Sequence, residues 1–517
     1  MTSDVELVLG LLVATTLLAV LADKLRVAYP IVLVLGGVAL GLIPKLPPIA
    51  LDPELAFELF LPPLLFSGAV FMPWPEFKAN LRPILLLAVG LVVATTIAVA
   101  YVAWWTISLP LGVGLVLGAI VSPPDAIAAT AVARRLKLPH RLVVILEGES
   151  LINDAAGLVL FRFAVAAVVT GAFSAPAAGL AFVRLALGGA ALGLAVAWLL
   201  MRLIRQLDDP GIVTVLTLLG PFAVYLPAEM LGVSGVLATV AAGIYVGWHA
   251  PTSFTPEARV QAGAVWQTLV FLLNGLAFIL IGLQLPFIRA EIAQQPVALL
   301  VVSACAVVGT VIVVRVAWVF GVNWLTVQLV PRLRRHDPVR WQTLAVLSWA
   351  GMRGIVSLAA ALALPTAIAT GAAFPQRGLV LFLAFCVIVA TLVAQGLTLP
   401  TLARWLRVVA ASNAEELLEA RRLTLEAALL RLDELALQDD LPADDLAHLR
   451  LRYEHALRVL DEHDEAAGDV VTHRRVQRDL IEAERKLLID MRRSGAISDD
   501  IFRELEHLLD LRTAWLG

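Results

Sequence analysis

Six charged side chains stand deep inside apolar stretches of this chain: Asp125, Glu149, Asp154, Arg162, Arg315 and Arg353. Glu58 and Glu147 are nearer the edges of theirs. A charge at the centre of a membrane helix costs about 2.5–3.5 kcal/mol on insertion scales, so such a residue is kept for a task or a partner. Asp154 offers the most specific chemistry. It lies in ILEGESLINDAAGLVLF, directly after Asn153 and one helical turn beyond Ser150 on the same face. A hard monovalent cation wants oxygen ligands, and carboxylate, hydroxyl, amide and backbone carbonyl oxygens supply them. One carboxylate that holds a proton or a cation in turn is the minimum that exchanging the two requires. Asp125 follows Pro123 and Pro124 at the expected start of a half-helix, where free N–H groups and the positive dipole end favour an anion. It can cap that broken end and contact a cation as well.

The other charges read differently. Glu149 is five residues before Asp154 and so faces another direction. Arg315, in VVGTVIVVRVAWVF, is a lone cation among apolar residues. An ion pair between these two inside a helix bundle would satisfy both; the alternative for Arg315 is to snorkel to the cytoplasmic side. Arg353, flanked by Gly351 and Gly354, can offset the negative ends of half-helices or contact an anionic substrate. Arg162, two turns past Asp154, approaches that carboxylate, lines a cavity or pairs elsewhere.

Composition names the class of scaffold that holds these residues. The 517 residues are 60% hydrophobic and 16% charged, with mean hydropathy +0.87, against roughly 45–50% apolar and about 25% charged in soluble domains. That argues against a soluble enzyme and a disordered chain, and a net charge of −3 argues against nucleic acid as a partner. Thirteen stretches read as membrane-spanning helices: residues 5–22, 29–43, 54–72, 83–104, 111–135, 142–170, 177–201, 211–229, 234–248, 264–287, 296–324, 341–365 and 378–402. The fifth contains Pro123-Pro124 and the twelfth Gly351 and Gly354, so both should be interrupted. Each is the fifth span of a six-span block if the seventh is a linker. Paired broken helices in corresponding positions point to inverted repeats with a midplane site. The expected fold is an all-α membrane protein of thirteen transmembrane helices, with inverted six-helix repeats and two broken crossing helices, followed by a cytoplasmic helical tail.

Orientation follows from basic loops. With the N-terminus outside, the inner loops hold seventeen Lys and Arg and the outer loops three, Lys45, Arg289 and Arg377. Residues 1–403 carry 22 Lys+Arg against 17 Asp+Glu, and residues 404–517 carry 17 against 25, which separates a transmembrane domain from a charged tail. The tail shows amphipathic stretches over 414–438, 443–466, 470–493 and 499–515, with Pro442 suited to a first helical turn. A regulatory helical bundle or dimerisation arm is expected there, its ligand unidentified. Residues 5–22 lack the basic n-region of a cleavable signal, since Asp4 and Glu6 stand there. Cys305 and Cys386 lie in apolar runs and offer neither a disulfide scaffold nor a cysteine metal site.

Five blocks in order carry a family resemblance: LPPLLFSGAVF (61–71), SPPDAIAATAVARRLKLP (122–139), GESLINDAAGLVLF, FLLNGLAFILIGLQL (271–285) and WAGMRGIVSLAAALALP (349–365). Together they resemble the monovalent cation:proton antiporters of the sodium/proton exchanger type over most of residues 50–400, less clearly in the tail. The resemblance implies a bacterial Na+/H+ antiporter rather than an enzyme: thirteen spans, a homodimer in the cell membrane, and a mobile core bundle moving against a dimerisation scaffold. It implies that Asp154 binds cation and proton and that Asp125 and Ser150 support the ion site. Asn153 fills the place of a second Asp in electrogenic relatives, which implies electroneutral exchange of one cation for one proton. Glu149 and Arg315 match a family ion pair, and Arg353 matches the crossing-helix arginine. The cation ligands are then Asp154, Asp125 and Ser150, the cargo Na+ with K+ or Li+ as alternatives, and no cofactor is needed. Pro124 departs from the pattern, because relatives often carry a hydroxyl or small residue there, so selectivity can differ. Two other classes compete. An aspartyl protease would need Asp125 and Asp154 sharing a proton within a few ångströms and gives Arg315 and Arg353 nothing to do. A channel needs a filter of carbonyl or charge rings, and no filter-like sequence is present.

Overall fold

Several helices in this chain begin where the sequence supplies a side-chain cap. Asp209 accepts from the Ile212 N–H ahead of Pro210, Thr255 accepts from Ala258 ahead of Pro256, and Ser234 accepts from Leu237. Each satisfies a donor that a helix start leaves free, and proline at the first helical position gives up a donor that would have had no partner. The computed structural model describes residues 2–43, 49, 51–136, 138–171, 175–329, 340–368, 371–408, 414–436, 443–461, 480–491, 505, 506, 508 and 509. Among these, helix is the only regular secondary structure, apart from one isolated bridge between Ala367 and Ala373. In hydrocarbon every backbone polar group must be paired within its own segment, which helices achieve.

The elements that matter here are α1 (Thr2–Leu25), α2 (Tyr29–Gly41), α3 (Leu61–Val70), α4 (Val92–Ile107), α5 (Leu111–Val121), α6 (Ala126–Arg135), α7 (His140–Thr170), α8 (Ala175–Ile204), α9 (Pro210–Met230), α10 (Gly235–Ser253), α11 (Pro256–Leu283), α12 (Val297–Leu329), α13 (Trp341–Trp349), α14 (Ile355–Leu362) and α15 (Arg377–Ala390). Among the described residues, eight helices are long and apolar enough to cross a membrane: Glu6–Leu25, Leu81–Ile107, His140–Thr170, Gly179–Ile204, Pro210–Met230, Pro256–Glu291, Val297–Leu325 and Arg377–Trp405. Tyr29–Gly41, Ala56–Val70 and Leu111–Val121 are shorter apolar helices. The protein is thus an all-helical, multi-pass membrane protein.

Two interruptions organise the centre. Proline lacks an N–H, so helix α5 stops at Val121 and α6 restarts only at Ala126, past Pro123-Pro124. Helix α13 stops at Trp349 and α14 restarts at Ile355, with Gly351 and Gly354 between them. The two unwound segments touch, because the Asp125 backbone N–H donates to the Met352 carbonyl at 2.7 Å. Four helix ends therefore converge on one point. Gly351 lets the Arg315 side chain of α12 pack against this crossing, since a Cβ there would run into it.

Among the described residues, three π-helical turns, Ala56–Phe60, Leu86–Leu91 and Thr391–Gln395, lie within the apolar helices. Such turns leave the helical ladder out of step and recur at functional positions. The Trp318 indole on α12 donates to the Leu86 carbonyl at 3.0 Å. Thr391 accepts from the Arg353 N–H at 3.2 Å and so ties its turn to the second interruption.

The chain divides into two compact units, residues 1–410 and 411–517. In the second, α16 (Ala414–Ala436) packs on α17 (Ala443–Asp461), with Arg450 paired to Asp433 between them. Residues 480–491 are helical, and Ile481, Leu488 and Leu509 are buried together. The first turn expected at Pro442, and most of the stretch over 499–515, lie outside the described residues.

Candidate functional site

The converging helix ends carry partial charges, and the sequence supplies a counter-charge for three of the four. Asp125 stands at the N-terminal end of α6, and its Oδ1 accepts from the Ile127 N–H at 2.8 Å. Arg353 serves the C-terminal end of α5: its Nε donates to the Val121 carbonyl at 3.0 Å and a terminal nitrogen reaches the Ser122 carbonyl at 3.5 Å. It also donates to the Gly351 carbonyl of its own segment. Arg315, on α12, donates to the Leu347 carbonyl in the last turn of α13 at 3.3 Å. Positive groups thus meet free carbonyls, and a negative group meets free N–H groups.

Arg315 does more. Its two terminal nitrogens donate to the two oxygens of Glu149 at 2.5 and 2.9 Å, a bidentate pair in which each partner is 1% exposed. The pair joins α7 to α12 within the bundle. On another face of α7, Asn153 is fully buried, and its amide donates to the Pro124 carbonyl at 2.8 Å. That bond bolts α7 to the first interruption, where the Pro124 carbonyl lies in the unwound stretch between Val121 and Ala126.

A cavity of about 430 Å³ ends at this crossing. Its wall includes Asp125, Ser150, Asp154, Thr130, Tyr29 and Asn274. Of the expected site residues, Asp125, Ser150 and Asp154 line the same space, together with the more peripheral Glu147. Asn153 does not line it, nor do Glu149, Arg315 or Arg353, which are directed into the surrounding packing. Asp154 itself is 8% exposed. Gly354 lies on the wall beside Asp125, and a Cβ at that position would overlap the Asp125 carboxylate.

A second cavity, about 280 Å³, lies further along α7. Ser150, Leu151 and Asp154 face the first cavity, whereas Ala155, Leu158, Phe161 and Arg162 face the second. The second holds Glu54, Glu58 and Glu229 with a single cation, Arg162. Arg162 pairs with Glu229 at 2.7 Å, and the other oxygen of Glu229 accepts from the Gly235 N–H at 3.1 Å. Of the roles open to Arg162, lining a cavity and pairing elsewhere are the ones seen. Glu229, in YLPAEM, and Asn274, in FLLNGLAF, are among the polar cavity residues that sequence reasoning passed over. Each is a lone polar group in an apolar run, which was the available signal.

The transmembrane model of the sodium/hydrogen exchangers matches residues 10–405. The chain belongs to the sodium/hydrogen exchanger family. An uncharacterised Na+/H+ exchanger of Mycobacterium bovis is 38% identical over 99% of this chain and 97% of its own length. A sodium, potassium, lithium and rubidium/H+ antiporter of Bacillus pumilus is 35% identical over 79% of this chain and 62% of its own length. Among solved structures, the sodium proton antiporter MjNhaP1 from Methanocaldococcus jannaschii superimposes with TM-score 0.63 at 20% identity, covering 78% of this chain and 99% of that one. This sodium/hydrogen exchanger is therefore an ion-transporting antiporter of the membrane, from a family of transporters rather than of catalysts, and monovalent cation/proton exchange is its family's activity.

Proposed function

We propose that the protein exchanges Na+, and also K+ or Li+, for H+ by alternating access, one for one, with Asp154 holding cation and proton in turn. The observation that carries this reading is the position of Asp154. It stands on the wall of the first cavity at the point along α7 where the lining passes from one cavity to the other. Asp125 and Ser150 complete the core side of the ion site, and Asn153 acts by holding the interruption rather than by touching the ion. Arg353 and the Glu149–Arg315 pair keep the crossing rigid. The Bacillus relative, named for four alkali cations, supports a broad cargo range.

The two interruptions, at corresponding positions of two six-span halves, support the thirteen-span inverted-repeat arrangement with the seventh span as linker. The positive-inside bias supports an outer N-terminus and a cytoplasmic regulatory or dimerisation tail over residues 404–517. In that frame the first cavity opens inward and the second outward. The acidic outer cavity attracts cations, and the Arg162–Glu229 pair lies across it. A homodimer in the cell membrane fits the same reading.

The deciding experiment reconstitutes the full chain in proteoliposomes with an imposed pH gradient. Adding Na+, K+ or Li+ should collapse the gradient at a rate independent of a clamped membrane potential. No response to any of the three overturns antiport, and a rate that follows the potential overturns the one-for-one exchange. A narrower test addresses Asp125. Gly354→Ala should push its carboxylate aside and raise the KM for Na+ at least about tenfold, equivalent to about 1.4 kcal/mol. An unchanged KM in the folded variant would remove Asp125 from the ion's path.

A further inference from the structure

On the antiport reading above, the ion site has a second half. The ligands Asp125, Ser150 and Asp154 all belong to the first interruption and to α7. The same cavity is lined by α11, which presents Gln267, Val270, Phe271 and Asn274 to it, the spacing of one helical face. Most of the lining contributed by α3 and α11 is hydrocarbon, from Leu61, Leu64 and Leu65 to Val270 and Phe271. Its hydroxyl at Ser67 donates to the Leu64 carbonyl at 3.1 Å, and its indole at Trp266 donates to Thr217 at 3.1 Å, so both are engaged within the wall.

Asn274 differs. It is 3% exposed, lies mid-helix and lines the cavity that reaches Asp154. Its side chain interacts with the Tyr29 hydroxyl, which orients the amide. Its carbonyl oxygen Oδ1 has no hydrogen-bond partner in the protein. A buried acceptor without a partner costs about 1–3 kcal/mol, and of the residues that leave a buried side-chain atom unpaired among the described residues, Asn274 is the one that lines this cavity, where a ligand can reach it. A neutral amide oxygen is a hard donor suited to an alkali cation, and it cannot compete for the proton that Asp154 exchanges.

We propose that Asn274 Oδ1 is a ligand for the transported alkali cation, contributed by α11. The ion is then held between α7 and α11 while the first cavity is accessible, and the ligand from α11 is surrendered when the core carries the ion away. Asn274 is in this sense a selectivity residue, because a fixed oxygen on one side sets the size of ion that bridges both.

The test measures KM for Na+, K+ and Li+ in proteoliposomes of the full chain carrying Asn274→Leu, Asn274→Ala, Asn274→Gln or Asn274→Asp, alongside Asp154→Asn. Loss of the ligand should raise the KM for Na+ about tenfold in the Leu and Ala variants, change the Na+/K+ ratio of KM values, and leave the maximal rate within a few-fold. Asn274→Asp, which keeps an oxygen in place, should recover Na+ affinity. In detergent, Na+ should raise the melting temperature of the parent chain more than that of Asn274→Ala. A merely packing role lowers folded yield and rate together without moving the ion ratio. Unchanged KM values and ion ratio in folded Leu and Ala variants overturn the proposal, and so does failure of all four variants to fold. If Asp154→Asn is inactive while these variants match the parent, this inference alone falls; if Asp154→Asn still transports, the underlying antiport site falls with it.

Discussion

Asp154→Asn should reduce cation-dependent proton flux to that of protein-free vesicles while the protein remains folded. The substitution is nearly isosteric, so the packing of α7 against the crossing is retained. What disappears is the capacity to release a proton and to offer a formal negative charge to a cation. Both half-cycles of the proposed exchange pass through that one group, so neither can be completed without it. The parent should also show competition: the apparent KM for Na+ should rise as the pH of the cation side falls, since proton and cation seek the same oxygens. Thermal unfolding in detergent and a pH-indicator flux assay check the two halves of this expectation. A folded Asp154→Asn protein that still exchanges Na+ for H+ would move the exchange elsewhere.

Arg315→Ala should have the largest effect on stability. It removes one partner of a bidentate pair buried to 1% on both sides and strands Glu149 among apolar side chains. Breaking such a pair costs about 3–5 kcal/mol, because the remaining charge keeps its desolvation penalty and loses its compensation. The same change also frees the Leu347 carbonyl in the last turn of α13. The double variant Glu149→Leu/Arg315→Leu should melt at a higher temperature than Arg315→Ala, since no charge is left unpaired. By contrast, breaking the more exposed Arg162–Glu229 pair should change stability far less, by up to about 1 kcal/mol. Melting curves of the purified variants in one detergent decide the point. An Arg315→Ala protein as stable as the parent would show that the pair does not hold α7 to α12.

Much of this architecture could be read from residue types. Pro123-Pro124 must interrupt a helix because the backbone donors are missing, and the structure stops α5 two residues earlier, at Val121. A charged residue in VVGTVIVVRVAWVF requires something to neutralise it. What could not be read was direction around the helix axis. Asn153 and Asp154 are neighbours in sequence, yet one is directed at the Pro124 carbonyl and the other lines the cavity. The partner of Arg162 is Glu229, 67 positions away, and no local pattern announces such a distance. The π-helical turns escaped for a related reason, since they arise from long-range fit, such as that of Trp318 on the Leu86 carbonyl, rather than from local propensity. Asn274 went unmarked because a single amide in an apolar helix most often finds a partner; that its oxygen lacks one is a fact of the tertiary structure.

The lining of α7 changes sides within one turn, between Asp154 and Ala155–Leu158. One helical turn is about 5.4 Å. On the exchange proposed above, a stroke of that order, with the bundle sliding as a piston past its surroundings, would hand the cargo from one compartment to the other without breaching the seal between them.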